Sequence, residues 1–444
     1  MQQRFEKFIC QEHLFPDGGQ VLLAVSGGRD SVTLCHLVAS AGIPFAVAHC
    51  NFHLRPGDCD RDEAFVRRLA DGYGVPCFVA QFDTLAYAAE NHLSVEEAAR
   101  NLRYAFFEQV RLEQGLSVIA TAHHRDDAIE TFFINLLRGT GLAGLRGIPL
   151  RNGNIVRPLL PFGRDEIDDY VRRNALDYVD DATNSQPLYL RNRIRLQLMP
   201  LLRSLAPSFD STMQSTLQHL ADADTVYRSA MQSMCDALLK PDGNGYAVDV
   251  AALRSLDPLS TCLFELLRPF GFSSAVAAEV ADALDAQSGK QFLSSTHRVV
   301  KDRDRLLIVP LAEPSAAEYP VADVGALSML PLPLHCSVAP NDSNTIRLPH
   351  SEAWFDLDRV HFPLTLRRWR SGDRFVPFGM KGSRLVSDLL SDLKLSLPDK
   401  ERVWLLCDAD GSVLWVVGLR ASALAPVTRT TASVLRLRCA LFEK

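Results

Sequence analysis

Three observations predict an α/β fold. From Val21 to about Leu205, short β-rich runs alternate with helical patterns, the rhythm of a parallel sheet with helices on both faces. The first run turns through two glycines directly into a helix, and the stretch after the fourth is rich in His and Asp. Both chemically loaded stretches therefore follow strands, on the carboxyl edge where such sheets bind ligands. After Pro207 the alternation stops. The class expected is a parallel Rossmann-like domain over residues 1–205, a mainly helical middle domain over 206–310, a Pro/Ala/Ser-rich linker over 311–349 and a small α+β domain over 350–444.

Strands are expected at Val21–Val25, Phe45–His49, Cys77–Val79 and Ser117–Thr121. Ser94 and Glu97 stand at capping-box spacing and predict a helix through Tyr104. Helical patterns then cover about Ser211–Lys240 and Ala247–Ala286, and a hairpin-like pair follows around Gln291–Val309. Leu311–Pro349, with Pro331-Leu332-Pro333 inside, reads as a linker with little regular structure. Strand-like pieces at Leu364–Arg368, Val413–Val417 and Ser433–Leu437 mark the last unit. Gly139-Thr140-Gly141-Leu142-Ala143-Gly144 matches Gly-x-Gly-x-x-Gly, but it follows a helical run, so it is not a dinucleotide fingerprint.

The first turn, Ser26-Gly27-Gly28-Arg29-Asp30-Ser31, has the composition of a nucleotide-phosphate site. Gly27 and Gly28 let the backbone bring its N–H groups toward an anion at a helix N-terminus, and Ser26 and Ser31 add hydroxyl donors. Asp30 beside phosphates is repulsive without an intervening cation, and Mg²⁺ with its oxygen ligands is the natural candidate. The loop lacks the Gly-Lys-Ser/Thr of a Walker motif, which disfavours kinase or GTPase chemistry.

After the fourth strand, His123 precedes Asp127 and Glu130, whose three-residue spacing puts both carboxylates on one helical face. Such a trio can bind Mg²⁺, hold an ammonium group or take up a proton. Arg100 and Arg103 share a face of the Ser94 helix and can clamp phosphate oxygens, or pair with neighbouring glutamates. Arg191, Arg193 and Arg195, after Tyr189, suit phosphate contacts with RNA, or the charged face of a helix. A last basic set, Arg367, Arg368, Arg370, Arg374, Lys381 and Arg384, lies among Trp369, Phe375 and Phe378, which suits phosphate contact with stacking.

The composition bounds the class. With 47% hydrophobic and 23% charged residues over 444 positions, the chain reads as an ordinary soluble protein. It has no apolar run near the roughly 18 residues of a membrane span and no secretory N-terminus, so a cytoplasmic, membrane-free protein is expected. Ten scattered cysteines without a Cys-x-x-Cys argue against zinc knuckles and dithiol redox chemistry. A net charge of -6 leaves RNA binding to local basic patches.

Taken together, the segments resemble the tRNA(Ile)-lysidine synthetases of the N-type ATP pyrophosphatase (PP-loop) superfamily. The likeness runs through the Ser-Gly-Gly-x-Asp-Ser loop, the Ser94–Tyr104 helix, Ala120-Thr121-Ala122-His123-His124 with Asp126-Asp127 and Glu130-Thr131, Arg157-Pro158-Leu159-Leu160, Asp181-Ala182-Thr183-Asn184, Trp354-Phe355-Asp356 and Arg370–Gly382. It covers nearly the whole chain. The resemblance implies a PP-loop ATPase domain that adenylates the C2 oxygen of the wobble cytidine in a CAU-anticodon tRNA(Ile), after which free L-lysine displaces AMP. It implies that Ser26, Gly27, Gly28, Arg29, Asp30 and Ser31 hold ATP with Mg²⁺, Asp30 being the metal-side residue. Arg103 and Arg100 would steady the nucleotide or the adenylated intermediate, and His123, Asp127 and Glu130 would position lysine or metal and help deprotonate the attacking amine. The C-terminal basic set would grip the tRNA acceptor stem, although Leu385 and Pro426 stand where the family commonly has lysine.

The oligomeric state is left open, a homodimer included. The rival readings are a PP-loop tRNA 2-thiolation enzyme, disfavoured by the absence of paired cysteines, an amidating ligase of the same superfamily, disfavoured because no glutamine-hydrolysing unit is recognisable, and a catalytically inactive tRNA-binding scaffold.

Overall fold

A computed structural model describes the chain except residues 17, 55–57, 180–189, 312–316, 342–347 and 442–444. Asp181–Asn184 and Tyr189, which carry part of the resemblance, lie outside the described residues. The chain divides into two compact units, Met1–Ser229 and Ala230–Lys444.

The first unit begins with α1 (Gln2–Gln11) and then alternates: β1 (Val21–Ala24), α2 (Arg29–Ser40), β2 (Phe45–Asn51), α3 (Asp58–Tyr73), β3 (Cys77–Gln81), α4 (Thr84–Glu90), α5 (Val95–Glu113), β4 (Val118–Ala120) and α6 (Arg125–Arg138). After the short α7 (Leu142–Leu145) come β5 (Arg151–Asn152), β6 (Ile155–Val156), α8 (Arg164–Arg173), α9 (Leu190–Arg193), a π-helical segment Ile194–Leu198, α10 (Met199–Leu205) and α11 (Phe209–Leu238), whose last residues, from Ala230, belong to the second unit. The sheet order is β3-β2-β1-β4-β6-β5, parallel except for β5 against β6.

The runs Val21–Leu23 and Phe45–Ala48 are buried throughout, as strands covered on both faces must be. The order reverses at β1, so the loops after β1 and β4 diverge and leave a crevice between them. All four expected strands are present within one or two residues. The Ser94–Glu97 capping box is formed, with Glu97 N–H donating to Ser94 Oγ and Ser94 N–H donating to Glu97 Oε2, both at 3.2 Å. Gly139 ends α6 at φ +73°, which makes the Gly-x-Gly-x-x-Gly match a helix terminus.

The second unit carries β7 (Lys240–Asp242), β8 (Gly245–Asp249), α12 (Val250–Arg254), α13 (Leu259–Leu267), α14 (Ser274–Asp282), β9 (Gln291–Leu293), β10 (His297–Asp302) and β11 (Arg305–Pro310). Its helices pack on a sheet of order β7-β8-β11-β10-β9, around Leu263, Leu267, Val280, Val299 and Ile308. The helical stretch expected from Ala247 is corrected at its start. Gly245–Asp249 is a strand because it pairs with β11, from Tyr246 opposite Ile308 to Asp249 opposite Arg305, and the Asp249 carboxylate then caps α12 through the N–H groups of Ala251 and Ala252.

Next come β12 (Tyr319–Val321), β13 (Leu334–Pro340), β14 (Glu352–Asp356), β15 (Leu364–Arg368), β16 (Arg374–Phe375), β17 (Arg384–Leu385), α15 (Val386–Asp392), α16 (Leu397–Glu401), β18 (Trp404–Cys407), β19 (Val413–Val416), β20 (Arg420–Ala421) and β21 (Ser433–Cys439). The expected linker at 311–349 is corrected here. β12 pairs with β15, and β13 pairs with β21 over seven residues. Leu334, Cys336, Leu332 and Tyr319 pack against the core around Trp415, Phe355 and Leu435, so this segment is part of the last domain. Its prolines stand at strand ends and edges, where a missing N–H is tolerated.

Candidate active site

The site is built from the turn after β1. Gly27 adopts φ +88°, a left-handed conformation closed to most side chains, and a Cβ there would meet Phe65 at 3.3 Å and Val66 at 3.4 Å. The turn is tied down on both sides, since Val25 N–H donates to Ala48 O and Val179 N–H donates to Gly27 O. Gly28 caps α2, so the first N–H groups of that helix point at the crevice. Gly28 N–H donates to Ser26 Oγ at 3.3 Å, and Ser31 Oγ donates to Gly28 O at 2.8 Å.

Asp30 sits in the first turn of α2. Its carboxylate is held by Arg164 Nη1, 3.2 Å from Oδ2, and lies 3.7 Å from His124 Nε2. Burial holds its pKa above the usual carboxylate value against the pull of His124, Arg164 and Arg29. Arg29 itself pairs with Asp168 and lies over the Tyr178 ring, 5.0 Å from the centroid.

The loop after β4 supplies the opposite wall. α6 begins at Arg125 with His124 as its cap, so His123 lies on the loop and does not share the helical face of Asp127 and Glu130. His123 Nδ1 is 2.9 Å from Thr121 Oγ1, and burial pushes its pKa down to about 4. His124 N–H donates to Asp127 Oδ2 at 3.1 Å. Burial pushes the Asp127 pKa up, but His124, His123 and Arg195 outweigh it and keep the group a carboxylate.

These pieces open into one cavity of about 490 Å³, whose lining includes Ser26, Gly28, Asp30, Ser31, His123 and Asp127. Five arginines, Arg29, Arg103, Arg164, Arg191 and Arg195, face three aspartates there, an excess of positive charge suited to a polyphosphate.

Three family models match the chain: a PP-loop domain over residues 1–202, a TilS substrate binding domain over 241–311 and a TilS substrate C-terminal domain over 364–439. The tRNA(Ile)-lysidine synthase of Bacteroides thetaiotaomicron is 40% identical over 437 residues, spanning 98% of this chain and 99% of its own. Those of Parabacteroides distasonis and Porphyromonas gingivalis are 40% and 36% identical over 432 and 434 residues, spanning 96% and 94% of this chain and 97% and 94% of theirs. This chain belongs to the tRNA(Ile)-lysidine synthase family.

Not every residue singled out by the family resemblance faces the cavity. Glu130 is 1% exposed and lies behind it, its two oxygens bound by Arg195. Arg103 lines the cavity over the Phe52 ring, whereas Arg100 is exposed and lies over Tyr104. The three arginines read as one RNA-binding group diverge. Arg191 and Arg195 line the cavity, and Arg193 borders an apolar groove with Leu137, Leu190 and Leu201. Arg195 sits on the π-helical segment, four residues after Arg191 and so on its side of the helix, and is held inward by Glu130 and Asp127.

Sequence reasoning missed Arg164 and His124. His124 carried a local signal, the doubled histidine before an Asp-Asp helix start. Arg164 carried none.

In the second unit the basic set is unevenly engaged. Arg367 is held by both oxygens of Asp373, at 2.9 and 2.8 Å. Arg370 pairs with Glu318, and Arg384 with Asp392. Arg368 stacks on Trp404, 3.8 Å from the ring centroid. Arg374 is exposed and bonds to Ser383, and Lys381 is exposed beside Phe378 and Met380.

Proposed function

We propose that this protein joins free L-lysine, through its ε-nitrogen, to C2 of the wobble cytidine in CAU-anticodon tRNA(Ile), consuming ATP and releasing AMP and pyrophosphate. The observation that carries the proposal is the opening of the phosphate loop and the His123–Asp127 wall into the same cavity, which lets nucleotide activation and amine attack share one place. Family membership supports the tRNA substrate. The 2-thiolation alternative lacks support from the cysteines: all ten are free thiols, and burial pushes the one lining this cavity, Cys50, up to about 12, far from a thiolate.

In the first step the cytidine C2 oxygen attacks the α-phosphorus of ATP, and the bond to the bridging oxygen breaks, so that pyrophosphate leaves with the electron pair. Loop N–H groups, Ser26, Ser31 and Arg103 orient the phosphates. Mg²⁺ fits the donor set: Asp30 is a half-buried oxygen donor on the cavity wall whose raised pKa a cation would reverse. Among the described residues no three carboxylate, His or Cys groups cluster as a metal cage, so Asp30 would hold such an ion together with phosphate oxygens and water. When bound, it would neutralise charge on the phosphates.

In the second step the lysine nitrogen adds to C2 and the C2–O bond breaks, releasing AMP. A free lysine amine with a pKa of about 10.4 arrives protonated. Asp127, kept ionised, is the anchor for that ammonium; the amine loses its proton to solvent, and His123, kept neutral beside it, offers a ring nitrogen that pairs with the amine without competing for the charge. Glu130 acts at one remove, as a positioning residue that fixes Arg195. In the second unit, Arg374 and Lys381 contact tRNA phosphates. No helix among the described residues is long and apolar enough to cross a membrane, and we place the reaction in the cytoplasm with its substrates.

The test is incorporation of labelled lysine into unmodified CAU tRNA(Ile) with ATP and Mg²⁺. Incorporation that is lost with Asp30→Ala and with elongator methionine tRNA is the expected result. Folded, ATP-binding protein that incorporates none would overturn the proposal.

A further inference from the structure

Arg164 is 134 residues from Asp30 in sequence, yet its guanidinium lines the cavity and reaches that carboxylate. Nη1 lies 3.2 and 3.4 Å from the two Asp30 oxygens, and Nε lies 3.6 Å from Asp168 Oδ1. Asp168 is already engaged by Arg29. These contacts are loose beside the pair formed by Arg195 and Glu130, where Nε meets Oε1 at 2.6 Å. A guanidinium has five N–H donors in a fork suited to phosphate oxygens, and at these distances most of that capacity is unspent on Asp30.

The backbone of Arg164 is tied into the fold at the start of α8. Its backbone N–H donates to Asp126 Oδ1 at 3.3 Å. The other Asp126 oxygen accepts from Arg203 Nη2 at 2.6 Å, and Arg203 is held in turn by both oxygens of Asp210. Asp126, together with Glu166, which accepts the Gly163 N–H at 3.0 Å, ties down the start of α8, and with it the point from which Arg164 reaches into the cavity. The side chain itself is 32% exposed, and the polar groups it meets are Asp30, Asp168 and His124, so charged groups around the phosphate loop set its direction.

We propose that Arg164 is a phosphate-contacting residue of this site, exchanging Asp30 for the phosphate oxygens of ATP and so releasing that carboxylate to a divalent cation. The proposal deepens the ATP-site assignment above and rests on it.

The experiment uses the full chain with Arg164→Gln and Arg164→Lys. Binding of ATP with Mg²⁺ is followed by calorimetry without tRNA or lysine, and KM values for ATP, lysine and tRNA come from lysine incorporation. Loss of a charge-assisted phosphate contact should weaken ATP binding about tenfold or more in Arg164→Gln. KM for ATP should rise in step while those for lysine and tRNA stay within about twofold, and the lysine variant, which keeps the charge without the fork, should recover part of the loss. Arg164→Gln that binds ATP within about twofold of the unsubstituted protein would overturn the assignment of Arg164. Failure of the unsubstituted protein to bind ATP would instead sink the ATP-site assignment itself.

Discussion

The Arg195 guanidinium grips Glu130 from two sides, Nε on Oε1 at 2.6 Å and Nη2 on Oε2 at 3.0 Å, while Glu130 is 1% exposed. Nη2 also reaches Asp127 at 3.3 Å, so one arginine links a fully buried carboxylate to one that faces the cavity. Truncating a single partner of such a buried pair costs up to about 3–5 kcal/mol, an upper bound here because Arg191 Nε stays 3.4 Å from Glu130 Oε2. Arg195→Ala should therefore destabilise the first unit by about 2–4 kcal/mol in urea unfolding, and joint replacement of Arg195 and Glu130 by apolar residues should cost less. Equal losses in the single and the double variants would show that the pair contributes nothing as a pair.

Gly27→Ala tests the loop. At φ +88° an alanine costs about 1–2 kcal/mol locally, and its Cβ would press on Phe65 and Val66. The cheaper outcome for the chain is to let the turn relax, which moves the N–H groups meant for phosphate. ATP affinity should fall by about tenfold or more while the circular dichroism spectrum is retained. Unchanged ATP affinity would separate the turn from nucleotide binding.

His123 gives a pH signature. Its folded pKa, near 4, lies below the unfolded value of 6.5, so between those values the unfolded chain binds the extra proton and stability rises with pH. Above about 6.5 the penalty is gone. His123→Gln should flatten the stability profile between about pH 4 and 6.5 and leave it unchanged at pH 8. A profile of unaltered slope in that window would mean that His123 titrates normally.

The parts of the site that were legible in the sequence are those whose chemistry is local. The two-glycine turn, Asp30 and the His-Asp stretch each lie within a few residues of a strand end, and strand ends are where the chain order of an α/β sheet converges. Partners across the fold were not legible. Arg191, Arg193 and Arg195 cluster in sequence, yet on a helix residues four apart share a face and residues two apart do not, so Arg191 and Arg195 line the cavity while Arg193 borders a different surface, and nothing near Arg164 in sequence marks its reach to Asp30, 134 residues away. The misread linker is a different case. Leu334, Cys336 and Val338 alternate with His335, Ser337 and Ala339, a period-two signal for β13 that the flanking prolines outweighed.

The C-terminal basic set separates into two classes that a binding assay can tell apart. Arg367 is 14% exposed and bonded to Asp373, and Asp373 also accepts the backbone N–H of Arg370. Its charge is neutralised at short range, so it has little left for a distant phosphate. Arg367→Ala should cost about 1–3 kcal/mol of stability by leaving Asp373 without its partner, with little change in how tRNA affinity depends on salt. Arg374 and Lys381 are exposed, and surface substitutions of that kind usually move stability by less than about 0.5 kcal/mol. Each alanine replacement there should weaken tRNA binding and lower the slope of log affinity against log salt by about one unit, the signature of one lost phosphate contact. Arg367→Ala that lowers the salt slope while Arg374→Ala and Lys381→Ala leave it unchanged would reverse the assignment and place the tRNA on the strand β15 side of this domain.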